Sequence, residues 1–156
     1  MLKQRNHRQK GNAILEFALI APLLCPLLLV IFDFGLYAYA FISVENAARV
    51  GALRNSGGID SAADQAGACS LAIDELRGMP NVGSSFTSTC GGAPITVTAT
   101  FLCPSSTNCS GSSASIDGYP AAVVSVSYTV PDLFRFPIVA PQTISRKSEM
   151  RMRSLQ

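Results

Sequence analysis

Hydrophobic positions follow three regimes along this chain: an unbroken block, a helical stripe, and then alternation. The block runs from Lys10 to Ile42. It holds no charged residue from Phe17 through Phe32, and only Asp33 interrupts it before Ile42. Read as a helix from Asn12 to Phe32, its 21 residues rise about 31 Å at ~1.5 Å per residue. That matches a hydrocarbon core of roughly 30 Å, so one membrane pass is predicted. Pro22 and Pro26 lie inside the span. Each removes a backbone hydrogen bond and predicts a kink or local loosening, which membrane helices tolerate because neighbouring groups take up the freed carbonyls. Cys25, mid-span, reads as a small apolar filler.

Beyond Asp33 the pattern stays helical but becomes one-sided. Phe34, Leu36, Tyr37, Ala40, Phe41, Val44, Ala47, Ala48, Gly51 and Ala52 recur at spacings of three and four, while Glu45, Asn46, Arg49 and Arg54 largely fall off the stripe. A single long helix is expected from about Ala13 to Leu53, stopped by Asn55-Ser56-Gly57-Gly58. A second helix opens at Asp60-Ser61, with either residue as N-cap. It buries Ala66, Cys69, Ile73 and Leu76 and ends at Gly78-Met79-Pro80. A Gly/Ser/Thr-rich connection follows through Gly92.

Period-two alternation then takes over. Ile95 to Phe101 reads as a half-buried strand, and Val123 to Val130 as a second, ended by Pro131. Thr143 to Met152 alternates less apolar residues, as befits an edge strand guarded by lysine and arginine. Cys103 to Gly118, rich in Ser and Gly, is an exposed loop. The fold class expected is α+β: a long N-terminal transmembrane helix continuing into a small head with a second helix and a three- to four-stranded antiparallel sheet. Three segments follow: a basic leader (1–11), the N-terminal helix (12–54, membrane-embedded to about 32–42) and an exported head (59–156).

Charge orients this arrangement. Residues 1–11 hold Lys3, Arg5, Arg8 and Lys10 with no acid; the remaining 145 hold eight basic and ten acidic residues, a net of −2. Basic residues just before an apolar span keep that end in the cytoplasm, so the C-terminal part is expected outside. The leader is short, lacks aromatics and abuts the span, which argues against nucleic acid as a partner. An ordinary signal peptide has a shorter hydrophobic region of ~7–15 residues ending at a small-x-small site. Ala38-Tyr39-Ala40 has that spelling, but it lies far beyond Phe17 and after Asp33.

The search for reaction chemistry yields little. The single histidine, His7, is in the leader. No Gly-x-Ser-x-Gly or phosphate loop is present, and the neighbours Asp74 and Glu75 point apart on a helix. No enzymatic activity and no cofactor are expected. Cys69, Cys90, Cys103 and Cys109 lie outside the span, an even number in an exported domain, which reads as two disulfides. Three pairings exist. Cys69–Cys90 with Cys103–Cys109 is favoured, the first tying the second helix to the approach of the first strand and the second closing the Ser-rich loop. Their spacing lacks the close Cys-x-x-Cys pairs of zinc sites, so no metal is expected.

Glu16 is the one charge inside the apolar segment near its start. A carboxylate at the bilayer centre costs roughly 2.5–3.5 kcal/mol, and less near an edge, so it needs a partner or a use. Lys10-Gly11-Asn12, then Glu16-Phe17, resembles the processing site of type IV prepilins. Glu16-Phe17-Ala18-Leu19, Ala21-Pro22-Leu23-Leu24, Phe32-Asp33-Phe34-Gly35 and Asn46 to Ala52 resemble the TadE-like family, pseudopilins of tight-adherence (Flp-type) pilus systems. The likeness covers roughly residues 8–54. Asp33 stands where many members carry Glu, and Val50 where many carry an acidic residue.

The resemblance implies cleavage after Gly11 by a prepilin peptidase, with Lys10, Gly11, Asn12, Glu16 and Phe17 as the processing residues. It also implies that Glu16 meets the new α-amine of Asn12, on its own chain or a neighbour's. The function implied is that of a minor pilin or pseudopilin. Its partners would be the peptidase, other pilins and the pilus assembly machinery, with the head outside the inner membrane. The alternative is an uncleaved, single-pass membrane-anchored binding module of the cell envelope.

Overall fold

The computed structural model describes residues 9–82, 90–103, 118–131 and 142–152, with side chains from Ala13 onward. The chain divides into two compact units, Met1–Leu36 and Tyr37–Gln156. Helix α1 (Gln9–Asn55) contributes to both. It begins earlier than the expected Ala13 because Gln9 and Lys10 are good helix formers and Gly11 does not forbid the conformation. It stays helical through Pro22 and Pro26.

The second unit is α+β. After α1 come the one-turn α2 (Ile59–Ala62) and α3 (Gln65–Leu76), then β1 (Gly91–Gly92), β2 (Ile95–Leu102), β3 (Ala121–Thr129) and β4 (Thr143–Arg151). The strands form one antiparallel four-stranded sheet in the order β1-β2-β3-β4. The fold has the pilin-like layout of a long apolar N-terminal helix and an α+β head with an antiparallel sheet. β1 was not expected. Its two glycines have poor strand propensity, and they pair with Thr96 and Ile95 across a tight turn.

Register places Ile95, Val97, Ala99 and Phe101 of β2 on one face with Ala122, Val124, Val126 and Tyr128 of β3 and Ile144, Arg146, Ser148 and Met150 of β4. This face and the stripe of α1 make the core. Ala40, Val44, Ala47, Ala48 and Ala52 are buried with Val97, Val124, Val126 and Tyr128. The expected stripe therefore holds at Ala40, Val44, Ala47, Ala48, Gly51 and Ala52, whereas Phe34, Tyr37 and Phe41 are exposed. The stripe is almost all alanine and glycine, which lets the helix backbone approach the sheet closely. A Cβ built on Gly51 would stand 3.1 Å from Val124 Cγ1, so the glycine is there for close approach.

The α1–α3 connection is closed by polar groups. Asn55, fully buried, donates from Nδ2 to the carbonyls of Ala62 and Asp64, each at 3.3 Å. Asp64 then caps α3 by accepting from the Gly67 N–H at 2.9 Å. The N-cap of the main second helix is thus Asp64, not Asp60 or Ser61, because the first candidate turn stops after four residues. This shift in start leaves Ala66 exposed and turns Gly67, Ala68, Cys69, Ala72, Ile73 and Leu76 inward.

Met79 and Val82, beyond the helix terminator, belong to the core. The turn between them uses Asn81 at φ 73°, a left-handed conformation that asparagine tolerates better than most residues. Tyr128 Oη donates to the Pro80 carbonyl at 2.6 Å, tying this turn to β3. β3 ends at Thr129, one residue before the sequence pattern does, and Pro131 has no N–H with which to continue the ladder. Leu102, Ala121 and Val123 form a small second cluster on the opposite face of the sheet.

Two outcomes follow from this packing. Gly51→Leu forces helix and sheet apart and is expected to destabilise the protein by about 1–3 kcal/mol, as overpacking does. Urea denaturation in detergent micelles measures it, and unchanged stability would mean a loose interface. Burial raises the Tyr128 phenol above its usual value, because the phenolate would lose its hydration. The neutral phenol is the form the fold holds, so its contribution is complete below about pH 10 and is lost as pH rises through the higher folded value. Stability of the wild type should fall more steeply above about pH 10 than that of Tyr128→Phe.

Candidate functional site

In the first unit the candidate site is the apolar surface of α1. Among the described residues, Ala13–Asn55 is the one segment long and apolar enough to cross a membrane, and its most apolar stretch is not buried at all. Exposure runs around the whole cylinder: Ile14 is 72% exposed, Phe17 68%, Leu19 76% and Leu23 74%. A soluble surface helix would show a polar face. This one shows apolar side chains on every side, as a helix solvated by lipid or by other apolar helices must.

Lys10, Gly11 and Asn12 lie in the first turns of α1, with Glu16 and Phe17 following on the same helix. Glu16 is exposed amid Ile14, Leu15 and Phe17 and makes no ion pair among the described residues. Helix geometry sets Asn12 and Glu16 one turn apart on one face. Asp33 is likewise exposed, and Cys25 is an exposed free thiol.

In the second unit, β4 clamps α1 by a contact that the hydrophobic pattern did not reveal. The Arg146 guanidinium carbon lies 3.8 Å from the centroid of the Phe41 ring, and its Nε is 3.5 Å from Glu45 Oε2. Phe41 and Glu45 are four residues apart, hence on one helix face. Arg146 Nε is buried and makes no hydrogen bond among the described residues, so the cation rests on the ring and on the carboxylate's charge. The alternation of β4 sets Arg146 among the inward residues, although an arginine on an edge strand reads first as an edge guard.

The disulfide joins Cys69 on α3 to Cys90 just before β1, with Cα atoms 5.7 Å apart. Cys103 is also disulfide-bonded; the partner expected for it, Cys109, lies outside the described residues. Among the described residues no group of three or more His, Cys, Asp or Glu is placed to hold a metal.

The apolar helix with its early glutamate is also what known families recognise in this chain. Residues 11–53 match the family model described as TadE-like protein. Over that stretch the chain is similar to TadE-like proteins. The stretch takes in the exposed apolar surface, Glu16, Asp33 and the start of the buried stripe through Ala52. No curated protein and no solved structure matches the chain, so the head beyond that stretch rests on its own geometry.

The Arg146 clamp is open to measurement. Arg146→Ala should destabilise the head by about 1 kcal/mol, within the range of partly desolvated cation–π contacts, with little added by the solvent-screened Glu45 pair. A double-mutant cycle with Phe41→Leu should recover most of that loss as coupling; additive effects would mean that Arg146 acts elsewhere.

Proposed function

We propose that this protein is a minor pilin, or pseudopilin, of a tight-adherence (Flp-type) pilus, cleaved after Gly11 by a prepilin peptidase. The observation that carries this reading is the TadE-like match over a helix whose apolar surface is exposed on all sides and interrupted near its start by Glu16. Nothing in that surface asks for a reaction. It asks for lipid first and for other apolar helices later, which are the successive surroundings of a pilin helix.

In this reading the basic leader stays in the cytoplasm, α1 crosses the inner membrane once and the head faces the periplasm or the exterior. Cleavage exposes an α-amine at Asn12. Glu16, one turn on, pairs with that amine on its own chain or a neighbour's, which lowers the cost of burying the carboxylate and fixes the axial register between subunits. The partners are the peptidase, other pilins and the assembly machinery. The protein's role is structural, and the head's size suits a minor subunit rather than the main shaft.

Intact mass and N-terminal sequencing of the protein extracted from its own membranes test this directly. The expected chain begins at Asn12, and Gly11→Ala should leave the leader in place. A mature chain still beginning at Met1 with the peptidase present would instead support an uncleaved, membrane-anchored binding module. In that case Gly11→Ala and Glu16→Ala change neither size nor localisation. A start near Phe41 would identify the block as a signal peptide.

A further inference from the structure

Two tyrosines stand where the apolar block gives way to the packed stripe of α1. The charge-free stretch Phe17 to Phe32 contains no tyrosine, yet Tyr37 and Tyr39 follow it by five and seven residues. They are two of the four tyrosines in the chain, so their placement is not a scatter. Both are exposed, as is Ile42, which shares a helix face with Tyr39. Neither ring belongs to the core.

A second element of the head meets Tyr39. A Cβ built on Gly78, two residues past the end of α3, would stand 3.5 Å from the Tyr39 hydroxyl oxygen. Arg77, the C-cap of α3, and Gly78 and Pro80 are exposed. Arg77 holds Asp74 at 2.8 Å, an exposed and weak pair that leaves most of the guanidinium donors for other acceptors. Glu75 is exposed as well, so this end of α3 carries both signs of charge rather than a basic patch.

We propose that Tyr37, Tyr39 and the Arg77–Gly78 end of α3 form a docking face for a zwitterionic phospholipid headgroup layer. Lipid is the occupant because these tyrosines sit on the one described helix long and apolar enough to cross a membrane, directly after its charge-free stretch. Tyrosine suits the headgroup level, where its ring meets apolar chains and its hydroxyl meets water. Arginine beside two acids complements a layer that presents phosphate and ammonium together, whereas a polybasic patch would select anionic lipid. The inference rests on the membrane pass of α1, and it needs neither leader cleavage nor a pilus.

Amide NMR of the full chain in phosphatidylcholine nanodiscs tests it, with a paramagnetic label on the headgroup or at the acyl-chain end. The headgroup label should broaden Tyr39, Arg77 and Gly78 strongly. It should broaden Ala52 little, since thirteen further residues of α1 rise about 20 Å. The acyl-end label should broaden Leu24 and spare Gly78. In the double variant Tyr37→Ser, Tyr39→Ser the headgroup effect on Gly78 should fall at least about twofold, because the interfacial rings are gone. If that variant does not fold, the wild-type pattern decides alone. Added salt should leave the wild-type pattern unchanged, and a Gly78 effect lost in salt overturns the zwitterionic partner. Gly78 broadened no more than Ala52 overturns the docking face, while broadening of Leu24 keeps the membrane pass standing. A Leu24 amide untouched by the acyl-end label overturns the pass and the proposal with it.

Discussion

The close approach of α1 to the sheet is the constraint from which the head follows. Ala40, Ala47, Ala48, Gly51 and Ala52 offer almost no side chain, so the helix backbone comes close to the sheet at Val124, in one core with Val126 and Tyr128. Dispersion between close-packed atoms falls steeply with separation, and small residues convert that into a tight interface. The same choice sets a limit, since one added side chain at Gly51 has nowhere to go. Large residues therefore come from the sheet, from Ile73 and Leu76 of α3, and from Met79 just beyond that helix.

Around that interface, polar groups fix what hydrophobic burial alone leaves loose. Asn55 ends α1 and holds the segment leading to α3 by two carbonyls. Asp64 caps α3 and also lies 3.6 Å from Arg54, an exposed and weak ion pair. Tyr128 reaches the turn at Pro80, and Cys69–Cys90 ties the same helix to the start of the sheet. A small core gains uniqueness from such ties, because each satisfies a buried donor or acceptor in one arrangement only.

One helix serves two solvents. From Ile14 to Phe34 its large apolar side chains are exposed, while from Ala40 its buried residues are alanine, valine and glycine with Ser43 and Asn55. The first composition suits lipid or other apolar helices, and the second suits a packed protein interior. The change comes within two turns, with Gly35 between them.

What the sequence determined by itself was whatever depends on local pattern. The unbroken apolar block, the stripe from Ala40 to Ala52, the three longer strands and the early glutamate with its glycine all declare themselves through period or composition. The TadE-like likeness was legible for the same reason, since it lies in one contiguous stretch. Only the tertiary structure decided the rest. Asp64 displaces Asp60 and Ser61 as the cap because Asn55 holds the intervening turn. Gly91–Gly92 become a strand because β2 supplies the hydrogen bonds that glycine does not seek by propensity. Arg146 turns inward because Phe41 and Glu45, about a hundred residues away in the sequence, give it a ring and a charge. Gln65 hydrogen-bonds to β2 because α3 sets it against Val97 and Ala99. Each of these is a pairing between residues distant in the chain, and the energy of such a pairing exists only once the fold brings both partners together.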